Sequence, residues 1–529
     1  MNSERALPMS ENAVIVHRPG LDEKALCRLA GLIAATSRAG DLIALDGDLG
    51  AGKTTFARAL IRSLTGNPEE EIPSPTFTLV QTYKTPRMSV AHYDLYRLSD
   101  PDEVIELGLD EALASGIALI EWPDRGGDLV PADRITVRIA DAENGTQMHR
   151  DVTISGTGSF ASRVARLGAI LSLTDTSGWS LREETEIAYL QGDASTRRYA
   201  RLMHTGAVTP THSAILMDWP RQPDGPPIRN GLPYSRIAHL AEDVRPFVAV
   251  ADALRRSGVA TPQIYASDLD NGLLLIEDFG DAVYGRELAA GADQATLWQA
   301  ALEVLLRLRA VRANEPLPVP GAEPWQLPHY DAQAMMIEIE LFADWLWPYA
   351  TGSDMPPALR DEFTDLWSEL IDALQELPTG WTLRDFHSPN LIWRPDESSL
   401  ARVGVIDFQD AMQGPLAYDV VSLLQDARLD VAPALEAELI ETYCRQAAAT
   451  DPSFDERRFR FAYAALGAQR NTKILGIFAR LARRDGKPHY VAHMPRIWGY
   501  LSRCLQHPQL ADMKSFYDAH VFALSHQRA

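Results

Sequence analysis

Residues 47–54 read Gly-Asp-Leu-Gly-Ala-Gly-Lys-Thr and match the pattern GxxxxGK[ST], which is typical of a loop that binds nucleotide phosphates. The glycines of such a loop let consecutive backbone N–H groups curl around the phosphates. Lys53 would reach the β- and γ-phosphates of ATP, and the Thr54 hydroxyl would ligate Mg²⁺. The predicted nucleotide-binding residues are Gly47, Asp48, Gly50, Ala51, Gly52, Lys53, Thr54 and Thr55.

A second group of polar residues has the spacing of a different phosphoryl-transfer site. Four residues separate Asp385 from Asn390, and Asp407 follows Asn390 by seventeen positions. Kinase-like transfer needs a carboxylate that orients the attacking hydroxyl, an asparagine ligand for metal, and an aspartate that bridges Mg²⁺ to the phosphates. Asp385 is therefore predicted to be catalytic, and Asn390 and Asp407 are predicted to bind metal. The sequence predicts two ATP sites on one chain.

The elements around the first site alternate between strand and helix. Residues 41–46 form a short apolar run that predicts a buried strand, and residues 54–64 predict a helix that Gly66 is placed to end. Further strands are predicted at residues 89–94, 117–122, 135–139 and 152–155. A strand, a phosphate loop, a helix and more strands predict a parallel α/β sheet.

The remainder of the chain has a different pattern. Residues 157–180 are rich in Gly, Ser and Thr, contain one possible short helix and are predicted to form a linker. Beyond them the sequence predicts strands at 198–202 and 213–218, a helix at 244–257, a hairpin turn at 270–272, and two late strands at 391–394 and 403–408. After residue 294 the pattern is otherwise mostly helical.

These patterns predict an α/β P-loop NTPase domain followed by an α+β, protein-kinase-like domain with two lobes. The predicted boundaries are 10–156 for the first domain, 157–180 for the linker, and 181–290 and 291–529 for the two lobes. A chain of 529 residues is too long for one ordinary core, which agrees with several domains.

Composition and charge limit the classes of function. The net charge of −22, with no run of Lys and Arg to offset it, argues against direct sequence-specific binding of nucleic acid, so any link to nucleic acid is expected through a partner protein. No apolar run approaches the roughly 18 residues that span a bilayer, and the first ten residues lack the pattern of a signal peptide. The three cysteines are far apart, without metal-ligand spacing. These features predict a cytoplasmic protein without a membrane span.

Five segments around the phosphate loop carry a family resemblance. They read GDLGAGKTTFARAL (47–60), SPTFTLV (74–80), HYDLYRL (92–98), ELGLDEAL (106–113) and IEWPDR (120–125). In this order they resemble TsaE, the small ATPase of the bacterial machinery that puts the threonylcarbamoyl group on tRNA adenosine next to the anticodon. In the last segment, Trp122 lies beside the metal ligand of the family motif.

The resemblance to TsaE implies roles for several residues. Thr54 and Glu121 would be the Mg²⁺ ligands, and Asp94 would position the hydrolytic water. Thr76 and Thr78 would belong to a switch-like segment near the γ-phosphate. The resemblance also implies TsaD and TsaB as protein partners.

Five later segments carry a second resemblance. They read GDASTRRYAR (192–201), AILMD (214–218), LLLIEDFGD (273–281), TLRDFHSPNLIW (382–393) and QRNTKILGIFARL (469–481). They resemble the aminoglycoside phosphotransferase and choline kinase superfamily, and within it the AmgK-like sugar kinases of peptidoglycan recycling. Those enzymes phosphorylate the anomeric hydroxyl of N-acetylmuramate and N-acetylglucosamine. The resemblance implies that Gly192, Ser195 and Thr196 cover the ATP phosphates and that Glu277 and Phe279 belong to the hinge beside adenine.

This chain departs from the superfamily pattern at two places. The catalytic loop reads Leu383-Arg384-Asp385, where a histidine is common before the aspartate. The predicted strand 214–218 also lacks the usual lysine that holds the α- and β-phosphates; Arg198 or Arg201 would have to replace it.

The acceptor contacts are predicted on a late helix and in an aromatic segment. Arg470, with Asn471 beside it, would pair with the lactyl carboxylate of muramate or would be a structural arginine. The tryptophans of residues 344–349 would be core residues or a sugar platform.

The sequence thus predicts a bifunctional enzyme that uses ATP and Mg²⁺ in both halves: a TsaE-like ATPase and an amino-sugar kinase. Two alternatives remain for the second half. An antibiotic-modifying phosphotransferase would have an acidic acceptor pocket, so a basic pocket would argue against it. A pseudokinase scaffold agrees with the missing lysine but not with the intact set of Asp385, Asn390 and Asp407.

Overall fold

The computed structural model describes residues 14–142, 148–182, 185–190, 197–204 and 213–526. The chain divides into two compact units. Unit 1 consists of Met1–Pro220 and Ile264–Asp278, and unit 2 consists of Arg221–Gln263 and Phe279–Ala529. Within the described ranges, none of the helices combines the length and the apolar character needed to cross a bilayer.

The elements up to residue 220 all belong to unit 1. They are β1 (Val14–Leu21), α1 (Glu23–Thr36), β2 (Leu42–Asp46), α2 (Lys53–Thr65), β3 (Val80–Lys84), β4 (Ser89–Asp94), α3 (Glu103–Glu106), α4 (Leu109–Ser115), β5 (Gly116–Glu121), β6 (Ile135–Asp141), β7 (Arg150–Gly156), α5 (Ala161–Thr176), β8 (Thr185–Leu190), β9 (Arg198–His204) and β10 (Ser213–Asp218).

The later elements belong to unit 2, except that β13 and β14 complete unit 1. They are β11 (Pro227–Arg229), β12 (Leu232–Pro233), α6 (Tyr234–Ile237), α7 (Arg245–Arg256), β13 (Ile264–Asp268), β14 (Leu273–Glu277), α8 (Tyr284–Ala289), α9 (Gln294–Arg309), α10 (Ala332–Leu341), α11 (Trp347–Thr351), α12 (Pro357–Gln375), β15 (Thr379–Thr382), β16 (Leu391–Trp393), β17 (Val403–Val405), β18 (Met412–Pro415), α13 (Tyr418–Leu424), α14 (Pro433–Thr450), α15 (Glu456–Arg483), α16 (Met494–Cys504) and α17 (Ala511–Phe516).

The first sheet of unit 1 contains seven strands among the described residues, in the order β1-β7-β6-β2-β5-β4-β3. Its centre is parallel, because β2 pairs in parallel with both β5 and β6, and β4 pairs in parallel with β5. The edges are antiparallel: β3 pairs with β4, β7 with β6, and β1 with β7. The prediction of a parallel sheet is therefore right for the centre and wrong for the edges. At the β3 edge the reason is local, because strands joined by a turn as short as that between β3 and β4 cannot make a parallel crossover.

Residues 157–180 hold a longer helix than the short one predicted there. Helix α5 has 16 residues and buries Val164, Leu167, Ile170 and Leu171. This spacing of three to four residues forms one apolar face, which the surrounding Gly, Ser and Thr residues obscured in the sequence. The predicted domain boundaries stay a prediction, although unit 1 continues through this segment without a break.

A second sheet of unit 1 contains five strands among the described residues, in the order β13-β14-β10-β9-β8. The predicted hairpin turn at 270–272 is confirmed, because β13 and β14 are antiparallel neighbours on either side of it. A single cluster of buried apolar side chains joins the two sheets of unit 1 and includes Ile43, Leu60, Ile170, Leu202 and Leu275. The two sheets therefore share one hydrophobic core.

Unit 2 is mainly helical, and its longest helix is the 28-residue α15. Helix α15 packs against α10, α13 and α16. Unit 2 also contains two small two-stranded sheets: β16 and β17 form a hairpin, and β15 pairs with β18. Helix α9 contacts β15 and β17. The two late strands predicted at 391–394 and 403–408 correspond to β16 and β17.

Candidate nucleotide sites

The phosphate loop connects β2 to α2, as the sequence predicts. Gly47 has a φ of 145°, and a Cβ atom at this position would lie 2.3 Å from the carbonyl oxygen of Ile139. A side chain at Gly47 is therefore excluded by both conformation and space. At the other end of α2, Gly66 takes a left-handed conformation with a φ of 69° and ends the helix, as predicted.

Lys53 is the first residue of α2 and is almost fully buried. Its Nζ donates hydrogen bonds to the carbonyl oxygens of Gly47 (2.7 Å) and Asp48 (2.8 Å). The same Nζ lies 3.6 Å from the centroid of the Trp122 ring, which is a cation–π contact. Burial lowers the pKa of Lys53, while the charge of Glu121 acts in the opposite direction. The ammonium group is thus held against the loop that would receive phosphates.

The two predicted metal ligands of this site touch each other. The Thr54 hydroxyl donates a hydrogen bond to Glu121 Oε2 at 2.9 Å. The other carboxylate oxygen, Oε1, lies 3.0 Å from Nε2 of His92. His92 and Glu121 are both buried, so the histidine fixes the orientation of the carboxylate.

Asp94 lies next to this pair because it is aligned with Glu121 in the parallel pairing of β4 and β5. Its Oδ2 accepts hydrogen bonds from the hydroxyls of Ser74 (2.7 Å) and Thr76 (2.8 Å). Thr78, by contrast, is exposed. The structure therefore brings Thr76 of the predicted switch-like segment to Asp94 and leaves Thr78 apart from it.

An open pocket of about 740 Å³ adjoins the phosphate loop. It is lined by loop residues together with Trp122, Arg125, Arg138 and Arg150. Within the described residues, no group of three or more His, Cys, Asp or Glu side chains is placed to hold a metal ion alone. At a P-loop, nucleotide phosphates and water supply most of the Mg²⁺ ligands. Loop, lysine, hydroxyl and carboxylate together fit Mg²⁺ and ATP.

The second predicted site lies in unit 2 around the hairpin of β16 and β17. Asn390 directly precedes β16, Asp407 follows β17, and the pairing of Leu391 with Val405 places them at the same end of the hairpin. Nδ2 of Asn390 lies 3.4 Å from Oδ2 of Asp407 and also donates a hydrogen bond to the carbonyl oxygen of Asp385 at 2.9 Å. The three residues predicted from their spacing are therefore neighbours, and the side-chain oxygens of Asn390 and Asp407 are of the kind that Mg²⁺ prefers.

Asp385 is half-buried, and within the described part of the chain its carboxylate makes no hydrogen bond or ion pair. The loop that carries it is fixed from behind by Asp419 on α13. The carboxylate of Asp419 accepts hydrogen bonds from the backbone N–H groups of Leu383 (2.5 Å) and Arg384 (2.9 Å). Burial raises the pKa of Asp419 to about 7, although both amide donors favour its charged form. The anchored loop leaves the Asp385 carboxylate available to an acceptor hydroxyl.

A buried group of charges lies on the other side of the catalytic loop. Glu338 on α10 is fully buried, forms a close ion pair with Arg384, and accepts hydrogen bonds from Lys473 Nζ (2.7 Å) and Tyr330 Oη (2.5 Å). We call these four residues the Glu338 cluster. Burial opposes the charge of Glu338, but Lys473 and Arg384 hold its pKa at about 2. Arg384 lies in the part of the loop where the superfamily commonly has histidine, and here it has a structural role. It pairs with Glu338 of α10, which in turn pairs with Lys473 of α15, so the loop is connected to both helices.

Of the five remaining residues predicted to contact the nucleotide, the structure describes only two. Gly192, Ser195 and Thr196 lie outside the described residues. Glu277 is the last residue of β14, and Phe279 packs its ring against Arg394, at 4.4 Å, and against Gly404. Their roles beside adenine stay predictions.

The two arginines considered as replacements for the missing lysine have partners inside unit 1. Arg201 forms an ion pair with Asp278 at 2.6 Å. Arg198 donates a hydrogen bond to the carbonyl oxygen of Thr36 at 3.3 Å. A phosphate-binding role for either residue stays a prediction.

Two of the residues predicted near the acceptor are part of the packed interior, and a third, Arg470, has an unpaired polar atom. Asn471 is fully buried, and its amide donates hydrogen bonds to Gln425 Oε1 (2.7 Å) and the Gly467 carbonyl oxygen (2.8 Å), so it stabilises helix packing. Trp347 is also buried, which supports the core alternative for that tryptophan. Arg470 is buried as well, but its Nη1 has no hydrogen-bond partner among the described residues.

Several residues at these sites were not predicted. His92 lies two positions before Asp94, and strand alternation places both on one face of β4, so a signal for it existed. Ser74 begins a segment that the sequence did single out. Glu338 and Asp419 lie 47 positions before and 34 positions after Asp385, so no local spacing could have pointed to them.

Comparisons with known proteins agree with this division. The family model described as "Threonylcarbamoyl adenosine biosynthesis protein TsaE" matches residues 21–151, and the model "Phosphotransferase enzyme family" matches residues 186–461. The tRNA threonylcarbamoyladenosine biosynthesis protein TsaE of Rickettsia bellii is 46% identical over 110 residues, which cover 21% of this chain and 76% of that protein.

Two relatives of the second half are named N-acetylmuramate/N-acetylglucosamine kinase. The Caulobacter vibrioides protein is 39% identical over 341 residues, covering 63% of this chain and 91% of that kinase. The Pseudomonas aeruginosa protein is 33% identical over 342 residues, covering 64% of this chain and 89% of that kinase. The predicted fold class is confirmed, and the chain belongs to both families: to TsaE through its N-terminal part and to the phosphotransferase enzyme family through residues 186–461.

Proposed function

We propose that the chain is a bifunctional ATP-dependent enzyme of the cytoplasm, where tRNA and its modifying enzymes are found. Its N-terminal part is an ATPase that supports threonylcarbamoyl modification of tRNA adenosine, and its second half is an amino-sugar kinase. One observation carries the proposal: in each half, a carboxylate lies close to the residues that are proposed as metal ligands. These groups are Asp94 with Thr54 and Glu121, and Asp385 with Asn390 and Asp407.

In the ATPase part, Lys53, Thr54 and Glu121 would hold Mg²⁺ and ATP, which supplies the phosphoryl group that is cleaved. Asp94 would orient the attacking water, because a carboxylate that already accepts two hydroxyl donors has a fixed direction. Thr76 shares that carboxylate, so a change at the γ-phosphate would be transmitted to the segment that carries it.

TsaD and TsaB are the proposed partners of the ATPase part. Two observations support partner binding near the nucleotide: Leu49 in the phosphate loop is 77% exposed, and Phe77 is 82% exposed. Contiguous apolar side chains that are exposed to solvent mark surfaces that bind other proteins, and Leu49 and Phe77 are proposed to belong to such a surface. The acidic net charge also favours action through protein partners over direct contact with tRNA.

In the kinase half, Asp385 would orient the anomeric hydroxyl of N-acetylmuramate or N-acetylglucosamine and accept its proton. Asn390 and Asp407 would hold the Mg²⁺ ions that neutralise the phosphates. The names of the relatives favour an amino sugar over an antibiotic as the acceptor. The uncovered carboxylate of Asp385 supports an active kinase over a pseudokinase.

The experiment that tests the proposal compares the whole chain with its Lys53→Ala variant. The wild type should form sugar 1-phosphate from ATP and an amino sugar, and it should release phosphate faster when TsaB and TsaD are added. The Lys53 ammonium group binds two carbonyl oxygens of its own loop and the Trp122 ring, all within the ATPase part, so Lys53→Ala should lose the partner-stimulated hydrolysis and keep sugar phosphorylation.

Lys24→Ala is the matched control, since Lys24 is an exposed lysine on α1. It should leave both activities unchanged. Loss of both activities in a folded Lys53→Ala protein would show that the two sites are not independent. Indifference of hydrolysis to both partners would refute the role in tRNA modification, and the absence of any sugar phosphate would favour the pseudokinase.

A further inference from the structure

Arg470 is a positively charged side chain that pairs with no negatively charged side chain among the described residues. It lies in the middle of α15 and is only 4% exposed. Within the residues that the structure describes, its guanidinium makes no hydrogen bond or ion pair, and its Nη1 is buried without an acceptor. The other cation at this level of the helix, Lys473, is neutralised by Glu338.

The direction of Arg470 follows from its neighbours on the helix. Gln469 and Lys473 both contact Glu338 on α10. Asn471 contacts Gln425, which directly follows α13. Successive helix residues are rotated by about 100°, so Arg470 points between these two directions. In that direction lie α10 and α13, which hold the catalytic loop through Glu338 and Asp419.

Electrostatic effects place the guanidinium close to the same loop. The charge of Arg470 opposes protonation at both His387 and Asp419. Asp385 also acts on both of these groups, with the opposite sign. Arg470 and Asp385 therefore act on the same two side chains, one with positive charge and the other with negative charge.

A buried guanidinium without hydrogen bonds is costly, because desolvation removes water that nothing replaces. Proteins keep such a group where a ligand supplies the missing acceptors, and a carboxylate is the planar, two-oxygen partner that matches guanidinium geometry. N-acetylmuramate differs from N-acetylglucosamine by a lactyl ether that carries one carboxylate on the same ring as the anomeric hydroxyl.

We propose that Arg470 binds the carboxylate of the acceptor sugar and makes the kinase half prefer N-acetylmuramate over N-acetylglucosamine. This specificity role rests on the proposed sugar kinase activity. The acceptor would then be fixed at two points, by Arg470 at its carboxylate and by Asp385 at its anomeric hydroxyl.

The test compares the whole chain with its Arg470→Met variant, which keeps most of the side-chain volume and removes the charge. For N-acetylmuramate, kcat/KM should fall on the order of 10- to 100-fold, the range expected for a lost hydrogen bond to a charged group. For N-acetylglucosamine, kcat/KM should change less than about threefold, because that sugar offers no carboxylate. Arg470→Lys should recover part of the preference for N-acetylmuramate.

Arg457→Met is the matched control, because Arg457 is an exposed arginine on the same helix, and it should leave both sugars unaffected. Equal losses for both sugars would overturn the proposal and assign Arg470 to the transferred phosphoryl group or to the loop. A wild type that phosphorylates neither sugar would instead refute the kinase activity itself.

A second measurement needs no variant and so does not depend on folding of Arg470→Met. The wild type is assayed with N-acetylmuramate and with its lactyl methyl ester, which has lost the negative charge. The ester should be the poorer substrate by on the order of tenfold or more, since it cannot form the charged pair. Equal kcat/KM for acid and ester would overturn the carboxylate contact.

Discussion

Single residues with unusual backbone angles mark both nucleotide sites. Trp122 beside the first site has a φ of 61°, and Arg384 and Asp407 at the second have φ values of 69° and 60°. Residues other than glycine rarely adopt this left-handed region, and they do so where surrounding contacts hold them. Here those contacts are Lys53 over the Trp122 ring and Glu338 at Arg384. Three of the described residues with such angles thus lie next to the predicted chemistry, and four others, Leu79, Asn230, His239 and Ser399, also have positive φ.

At the residue scale, Asp385→Asn and Asp407→Asn should have different effects. Asp385 has no metal partner in the proposed roles, so Asp385→Asn should lower sugar phosphorylation on the order of 10²-fold or more, with nucleotide affinity little changed. Asp407 shares its carboxylate with Asn390 and Gln409, so Asp407→Asn should also weaken binding of Mg²⁺ and ATP. Turnover and nucleotide affinity are measured separately for each variant.

Asp396→Asn serves as the control, because Asp396 is an exposed aspartate in the turn between β16 and β17. It should match the wild type in both measurements. Near-normal turnover in Asp385→Asn would refute the catalytic assignment, and unchanged nucleotide affinity in Asp407→Asn would refute its role as metal ligand.

At the scale of elements, three helices position one short loop. Helix α13 holds the loop by its backbone through Asp419, while α10 and α15 hold Arg384 through the Glu338 cluster. Ion pairs of this kind are weak evidence for stability, but removing one partner from a buried pair is costly. The cluster therefore links catalytic geometry to helix packing.

Glu338→Gln should lower the free energy of unfolding by about 3–5 kcal/mol, because it leaves Arg384 and Lys473 buried without a negative charge. Sugar phosphorylation should fall as well, since Arg384 adjoins Asp385. The folded-state pKa of about 2 lies below the ordinary 4.5, so the stabilisation by this carboxylate is present above pH 4.5. The difference between wild type and variant should shrink as pH falls from about 4.5 towards 2.

Chemical denaturation at several pH values measures this difference. Glu340→Gln is the matched control, because Glu340 is only part-buried and pairs with Arg229, a third of whose side chain is exposed. It should cost less than about 1 kcal/mol. Equal costs for the two variants would contradict a special role for the Glu338 cluster.

At the scale of the whole molecule, unit 1 combines parts of two families in one core. Helix α5 contacts β1 and β7 of the ATPase sheet and β13 and β14 of the five-stranded sheet. Its residue Arg163 pairs with Asp41 of the ATPase part, and Arg166 pairs with Asp218 at the end of β10. The two sheets are therefore expected to unfold together.

Ile170→Ala should destabilise both sheets at once. Ile170 is fully buried on α5 within the shared core, and removing a buried isoleucine side chain to alanine costs about 2–5 kcal/mol. Hydrogen exchange should accelerate for the amides of both β2 and β10. Ser172→Ala, at an exposed position of the same helix, should change neither. Faster exchange confined to one sheet would show that the two sheets unfold separately.

The sequence by itself was enough to propose both phosphate-transfer sites, because the residues of each proposed site lie in short segments. The phosphate loop is one continuous stretch from Gly47 to Thr54 between a strand and a helix. Asp385, Asn390 and Asp407 lie on a loop and a hairpin, so local pairing brings them together. The order of the surrounding sequence segments then revealed the resemblance to both families.

Only the tertiary structure decided what surrounds these segments. Glu338 reaches Arg384 across 46 positions, and Lys473 reaches Glu338 across 135 positions. Contacts of such separation depend on helix packing, which local spacing does not encode. For the same reason, the sequence did not show that α5 would join two sheets. Arg470 shows the contrast most directly: its type suggested an anion contact, and only the fold showed that it is buried and that its Nη1 has no hydrogen-bond partner among the residues the structure describes.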